Sequence, residues 1–172
     1  MRQLHQQWPL TAGYMMTVHA YTSGQNIVDG GHASDPRRGR AAGANIVPTT
    51  SEAMVAFDQA VPALAGRIIG MAQRVPVTNG SNVELVLQMQ GNATADQINA
   101  CIAGASGLRG LVQYTSDPLV SSDILGNPHS AVFDSALTHA MPCGNGTLVR
   151  VLAWYDNEWG YANRLAELLA ML

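Results

Sequence analysis

The spacing of apolar positions changes several times along the chain, and each change marks an element. Tyr14-Met-Met-Thr-Val-His-Ala-Tyr-Thr22 is a largely apolar run that ends abruptly in a histidine and a threonine. It predicts a strand over 13–21 that delivers His19 and Thr22 to its C-terminal end. Residues 23–45 then follow neither period, and structureless loops of this length are usually functional or disordered. Residues 1–8 are polar and helix-compatible but stop at Pro9, so they read as the last turns of a helix that starts without a cap. Thr49 and Glu52 fit a capping box, and Met54, Phe57, Val61 and Leu64 recur at helical spacing behind it. A second strand is predicted over 67–77. Over 82–90, Val83, Leu85, Leu87 and Met89 alternate with polar residues, the pattern of a half-buried strand. Pro76 and the Thr-Asn-Gly-Ser turn separate the two.

Thr94 and Gln97 offer a second capping box, and Ile98, Cys101, Ile102 and Ala105 form one apolar stripe that Gly107 stops. Short strands are predicted near 110–115, 129–134 and 137–141, then a stronger one over 147–155. A closing helix from about Asn157 is expected to bury Leu165, Leu168, Leu169 and Leu172. Strands outnumber helices and the late gaps are hairpin-length. The predicted class is therefore α+β, a mixed and largely antiparallel sheet with helices packed on one face.

Composition narrows the possibilities. With 172 residues, 47% of them hydrophobic and 12% charged, the chain is sized for one domain around one core. A net charge of −3 argues against nucleic acid as a general partner, and the cluster Arg37-Arg38-Gly-Arg40 is too short to reverse that. All nine basic residues are arginine. No run approaches the roughly 18–20 apolar residues of a membrane span, and residues 1–16 lack the make-up of a signal peptide, so a cytoplasmic location is expected. Cys101 and Cys143 make neither a disulfide framework nor a CxxC pair.

The candidate chemistry gathers at strand ends. His19 is either a core histidine bonded to a backbone carbonyl or an imidazole that titrates at the edge of a site. Arg74 ends its strand as His19 ends its own. It either bridges a surface carboxylate or converges with His19, each from its own strand end, on one oxyanion or phosphate, for which the guanidinium fork is suited. Cys101 lies on an apolar stripe and reads as packing. Cys143 stands in a Pro-Cys-Gly-Asn-Gly turn near His139, with no orienting carboxylate beside it, and reads as a loop cysteine. His5, His32 and His129 share no ligand spacing, and no metal site is expected. In Trp154-Tyr-Asp-Asn-Glu-Trp-Gly-Tyr161, Asp156 or Asn157 caps the last helix, or Asn157 presents its amide to a planar ligand with Tyr161 one turn on.

Taken together, Met-Thr-Val-His19-Ala-Tyr-Thr22, Asp35-Pro-Arg-Arg38-Gly-Arg-Ala-Ala, Gly70-Met-Ala-Gln-Arg74-Val-Pro, Leu119-Val-Ser-Ser-Asp123 and Trp154-Tyr-Asp-Asn157-Glu-Trp-Gly-Tyr161 resemble the catalytic domain of the phosphorylating glyceraldehyde-3-phosphate dehydrogenases. Erythrose-4-phosphate dehydrogenases share most of these motifs. The resemblance implies NAD-dependent oxidation of an aldose phosphate with inorganic phosphate. His19 would be the general base toward a nucleophilic cysteine, a role typically worth ~10² to 10⁴-fold. Thr22 and Arg74 would hold the substrate phosphate, and Arg38 and Ser51 the inorganic phosphate. Asn157 would bond the nicotinamide carboxamide beside Tyr161, and the long loop would pack at contacts within a homotetramer.

Two departures from the family pattern matter. The family nucleophile lies in a Ser-Cys-Thr-Thr-Asn motif that this sequence does not contain, and the Gly-rich NAD-binding Rossmann domain is not among residues 1–172. The expectation is a truncated catalytic domain, inactive alone for want of its thiol and cofactor domain. The alternative is a non-catalytic anion-binding or oligomerisation module derived from the same fold. Glu52, the second departure, stands where the family has glycine and would repel a phosphate.

Overall fold

The computed structural model describes residues 1–50 and 53–172. Its strands are Leu10–Ala20 (β1), Val47–Thr49 (β2), Ile68–Val75 (β3), Ser81–Gln90 (β4), Val112–Thr115 (β5), Ala131–Cys143 (β6) and Gly146–Tyr155 (β7). They form one seven-stranded sheet in the order β2-β3-β1-β4-β7-β6-β5. Four of its six pairings are antiparallel; β1 with β3 and β5 with β6 are parallel. The α+β class and the mixed, largely antiparallel sheet read from the sequence are what is observed.

The helices are Arg2–Gln7 (α1), Ala53–Ala60 (α2), Ala95–Ala103 (α3) and Trp159–Leu169 (α4). One face of the sheet carries the core. Met15, Ile68, Leu87, Met89, Val149 and Val151 from the strands meet Leu4 of α1 and Ile98 of α3, with Met54 and Phe57 of α2 packed against them. Period-two alternation puts those strand residues on the same side, so burying one helical layer dehydrates a continuous floor. The Thr94–Gln97 capping box is present in both directions, and Gly104 caps α3 three residues before the expected stop at Gly107.

Two sequence expectations need correcting. The two short strands expected over 129–134 and 137–141 are one strand, β6, whose register against β7 shifts between Asp134 and His139. In that irregular stretch the Ser135 hydroxyl donates to the Thr115 carbonyl at 2.7 Å. Second, the leucines of the last helix are not buried: Leu165 is 43% exposed, Leu168 56%, Leu169 70% and Leu172 97%. The 3.6 period shows that a helix has an apolar face, not what that face meets. The break in pairing expected between β3 and β4 is observed, with β1 lying between them.

The β6–β7 hairpin turns through Gly144 at φ +58°. Among the described residues no helix is long and apolar enough to cross a membrane.

Candidate functional site

Since β1 and β3 are parallel, their C-terminal ends emerge at the same edge of the sheet, and His19 sits in register with Arg74. Antiparallel β4 then brings its N-terminal Ser81 alongside, where it pairs with Tyr155 at the end of β7. The Ser81 hydroxyl accepts the Ala20 N–H at 3.3 Å. A polar row of Arg74, His19, Ser81 and Tyr155 therefore crosses four strands on the core-bearing face, directly above the apolar floor.

Over that row lies a cleft of about 330 Å³ whose walls include Thr17, His19, Thr22, Arg38, Arg74 and Tyr155. The long loop supplies one wall. Asp35 accepts the Arg37 N–H at 3.0 Å to start a short 3-10 turn over Pro36–Gly39. The loop folds back on itself through Asn26 N–H to the Arg38 carbonyl and Gly30 N–H to the Gly39 carbonyl, both 2.9 Å. Arg38 reaches the cleft with its Nε and Nη2 donating to the Thr49 hydroxyl at 3.0 and 2.6 Å. Thr49 thus serves Arg38 at the end of β2; the capping box its spacing predicted involves Glu52, which lies outside the described residues. Of the three loop arginines only Arg38 lines the cleft. Arg40 pairs with Asp29 on the exposed surface at 3.2 Å, and Arg37 flanks a neighbouring depression beside Asp35 and Thr49. Ser51 and Glu52 lie outside the described residues.

His19 is half-buried, with Nδ1 2.7 Å from the Ala20 carbonyl and its ring lining the cleft. Arg74 Nη1 also reaches His19 Nδ1 at 2.7 Å and donates to the Ala20 carbonyl at 2.9 Å. Arg74 therefore bridges no carboxylate, and its Nε is buried without a partner among the described residues. Tyr155 meets the imidazole edge-on, with ring centroids 6.0 Å apart. Burial lowers the pKa of His19; the Ala20 carbonyl opposes that and the Arg74 charge adds to it. Burial likewise lowers that of Arg74, against Tyr155 and with Arg38. Burial raises that of Tyr155, against Ser81 and Arg74. No carboxylate lines the cleft among the described residues. Two guanidinium groups, hydroxyls and a partly desolvated imidazole make a site for an oxyanion next to a base.

Asn157 and Tyr161 do not share this cleft. They line an adjacent cavity of about 280 Å³ with Ser130, Asp156 and Arg164, and Tyr155 borders both spaces. Asp156, only 3% exposed, accepts four hydrogen bonds. Oδ1 takes the Glu158 and Trp159 N–H groups at 2.9 Å each; Oδ2 takes Asn79 Nδ2 at 3.0 Å and the Gly126 N–H at 2.9 Å. Burial pushes its carboxyl up, but these bonds together outweigh that and hold it below its usual range. Asp156 thus holds the N–H groups that lead into α4, whose N-cap is Glu158, and Asn157 lines the cavity with its buried Oδ1 unpartnered among the described residues.

Neither cysteine lines the cleft. Cys101 packs against the core, its thiol pushed up by burial, and Cys143 is exposed at the β6–β7 turn, the far end of β7 from Tyr155. Thr17, Ser81 and Tyr155 were not singled out by sequence reasoning. The signal for Thr17 was its period-two relation to His19; Ser81 and Tyr155 required the strand pairing.

Comparison with known proteins places this geometry. Residues 1–157 match the family profile described as glyceraldehyde 3-phosphate dehydrogenase, C-terminal domain. The chain is 47% identical over 96% of its length to glyceraldehyde-3-phosphate dehydrogenase 2 of Streptomyces avermitilis, covering 49% of that protein. It is 50% identical over 93% of its length to the glyceraldehyde-3-phosphate dehydrogenase of Kitasatospora aureofaciens, covering 47% of it. The corresponding protein of Mycobacterium tuberculosis is 44% identical over 98% of this chain, with 49% of that protein covered. The chain spans about half the length of the curated relatives it matches.

Proposed function

The chain belongs to the glyceraldehyde-3-phosphate dehydrogenase family as its C-terminal domain, and from that membership we propose that it is the substrate-holding half of an enzyme oxidising an aldose phosphate with NAD and inorganic phosphate. The observation that carries the reading is the register pairing of His19 with Arg74 at the floor of a cleft without a described carboxylate. Arg74 and Thr22 hold the substrate phosphate. Arg38, steadied by Thr49, serves the second phosphate together with Ser51.

His19 is the base. With Nδ1 engaged, Nε2 is the nitrogen left to take a proton from the attacking nucleophile and return it to the substrate oxygen. That nucleophile is a thiol other than Cys101 or Cys143, so residues 1–172 supply the base and anion ligands and do not turn over alone. For the cofactor, the unpartnered buried Oδ1 of Asn157 beside Tyr161 fits an amide donor, the chemistry of a carboxamide. When bound, NAD would supply the hydride acceptor and Asn157 would hold its carboxamide; Tyr155 borders both spaces. A cytoplasmic homotetramer using the long loop at its contacts completes the reading.

The test is a chimera in which this chain replaces the matching half of the Mycobacterium tuberculosis relative. NADH formation is followed with glyceraldehyde-3-phosphate or erythrose-4-phosphate plus inorganic phosphate. A phosphate-dependent rate is expected, and His19→Asn should lower it by ~10² to 10⁴-fold. A chimera that binds NAD but produces no NADH with either substrate would refute the proposal. It would also favour the non-catalytic anion-binding module, in which His19 has no task.

A further inference from the structure

The contacts at His19 Nδ1 compete with each other. A neutral imidazole nitrogen carries either a lone pair or a proton. The Ala20 carbonyl, 2.7 Å away, can only accept, and Arg74 Nη1, also 2.7 Å away, can only donate. Nδ1 therefore satisfies one of them at a time. Arg74 Nη1 also reaches the Ala20 carbonyl at 2.9 Å, so the guanidinium can satisfy that acceptor whenever the imidazole does not.

We propose that Arg74 chooses which nitrogen of His19 holds the proton and that an anion in the cleft reverses the choice. While the guanidinium donates to Nδ1, the proton of the neutral ring stays on Nε2, the nitrogen that would act as base, and blocks it. When an anion draws the guanidinium onto itself, Nδ1 takes a proton from water and donates a hydrogen bond to the Ala20 carbonyl. Nε2 gives its own proton to water, so the ring's charge is unchanged and Nε2 is bare. Arg74 is then a positioning residue for His19 as well as an anion ligand. This rests on the anion-binding reading of the cleft given above.

Three observations support the coupling. The buried Arg74 Nε has no partner among the described residues, so an acceptor placed in the cleft gains a donor that nothing else satisfies. Arg38 is a second cation in the same cleft and favours the same acceptor. The groups that face His19 are Arg74 from β3, Tyr155 from β7 and Arg38 from the loop, with Ser81 of β4 contributing a neutral hydroxyl. No other described charge competes with Arg74 for the ring. The pKa of His19 is lowered chiefly by burial, and the Arg74 charge acts in the same direction by disfavouring the imidazolium.

The test is nuclear magnetic resonance of the 172-residue chain labelled uniformly with ¹⁵N, which reports the histidine ring nitrogens together with Arg74 and Thr22, at a pH of about 8 where the ring is neutral. His19 is assigned by its loss in His19→Asn. In chloride buffer the Nε2–H tautomer should dominate. Saturating inorganic phosphate at matched ionic strength should shift the ratio toward Nδ1–H by about tenfold, the scale one charge-assisted hydrogen bond commands. Arg74→Met should show Nδ1–H with or without phosphate. The wild-type measurement decides even where that variant does not fold. Nδ1–H already dominant in chloride would overturn the proposal. Phosphate-induced shifts at Arg74 and Thr22 with an unchanged tautomer ratio would remove the coupling alone. No shift at either residue would remove the anion reading and the coupling together.

Discussion

Asp156→Asn tests how the two cavities are held together. The carboxylate is almost fully buried and accepts two hydrogen bonds on each oxygen. These tie the turn at Asn79, the turn at Gly126 and the two residues that open α4 to the end of β7. Asparagine matches its shape but keeps only one acceptor oxygen, so its amide N–H₂ must face either the Gly126 and Asn79 donors or the Glu158 and Trp159 donors. A hydrogen bond to a charged acceptor contributes about 1.5–3 kcal/mol net, and an orphaned buried donor costs about 1–3 kcal/mol. Two bonds are lost, but the donors near the helix start can recruit water, so a loss of about 3–4 kcal/mol is expected. That is a large share of the roughly 5–15 kcal/mol typical of a domain. The bonds hold the folded carboxyl below its reference of 3.8. Its contribution is therefore complete above that value and is lost as pH falls through the lower folded value. Urea unfolding of both proteins, repeated from neutral to acid pH, should show a gap that closes toward acid. A gap under about 1 kcal/mol at neutral pH, or one independent of pH, would refute this account of the junction.

Two further predictions concern the scaffold. Leu87→Ala, at a fully buried position under β1 and β7, should cost about 2–5 kcal/mol by urea unfolding, a loss near zero being incompatible with the core described. Gly80→Ala should cost about 1–3 kcal/mol by the same assay, because Gly80 has φ +84° and an added Cβ would overlap the Ser121 carbonyl. Since Gly80 precedes Ser81, that variant should also disturb the Ala20 and Tyr155 signals, and an unperturbed spectrum would separate the turn from the cleft.

The legible parts were those set by short-range rules. β4 showed in its alternation, α3 in its capping box and stripe, and the turn before Ser81 in Asn-Gly. What escaped depended on pairing between distant segments. That Arg74 and His19 converge from two strand ends was legible, but the pairing that brings them together, β1 and β3 as parallel neighbours, is encoded by no local pattern. Tyr155 showed only as one aromatic among several until β4 brought Ser81 and β1 beside it. The three loop arginines looked equivalent because sequence carries no sign of Asp29 capturing Arg40 while Thr49 steers Arg38. The same limit explains α4, whose leucines are regularly spaced but exposed.

The arrangement of the sheet also explains why the chemistry sits in this row. Moving from Arg74, His19, Ser81 and Tyr155 two residues along each strand gives Ala72, Thr17, Val83 and Ala153 on the same face. Two more residues give Gly70, Met15, Leu85 and Val151. Ionisable groups are confined to the last row before the strands end, and apart from the Thr17 hydroxyl small or apolar side chains support it from below. A charge pair or imidazole one row deeper would lie in the core without access to an anion, whereas one row further out would be hydrated by the loop and lose field strength. The terminal row is the position where burial is sufficient to lower the pKa of His19 and Arg74 while the cleft remains open to a ligand. This makes the register of β1 against β3 as necessary to the site as the residues themselves. A one-residue slip would turn His19 to the opposite face while leaving Arg74 in place, ending their contact.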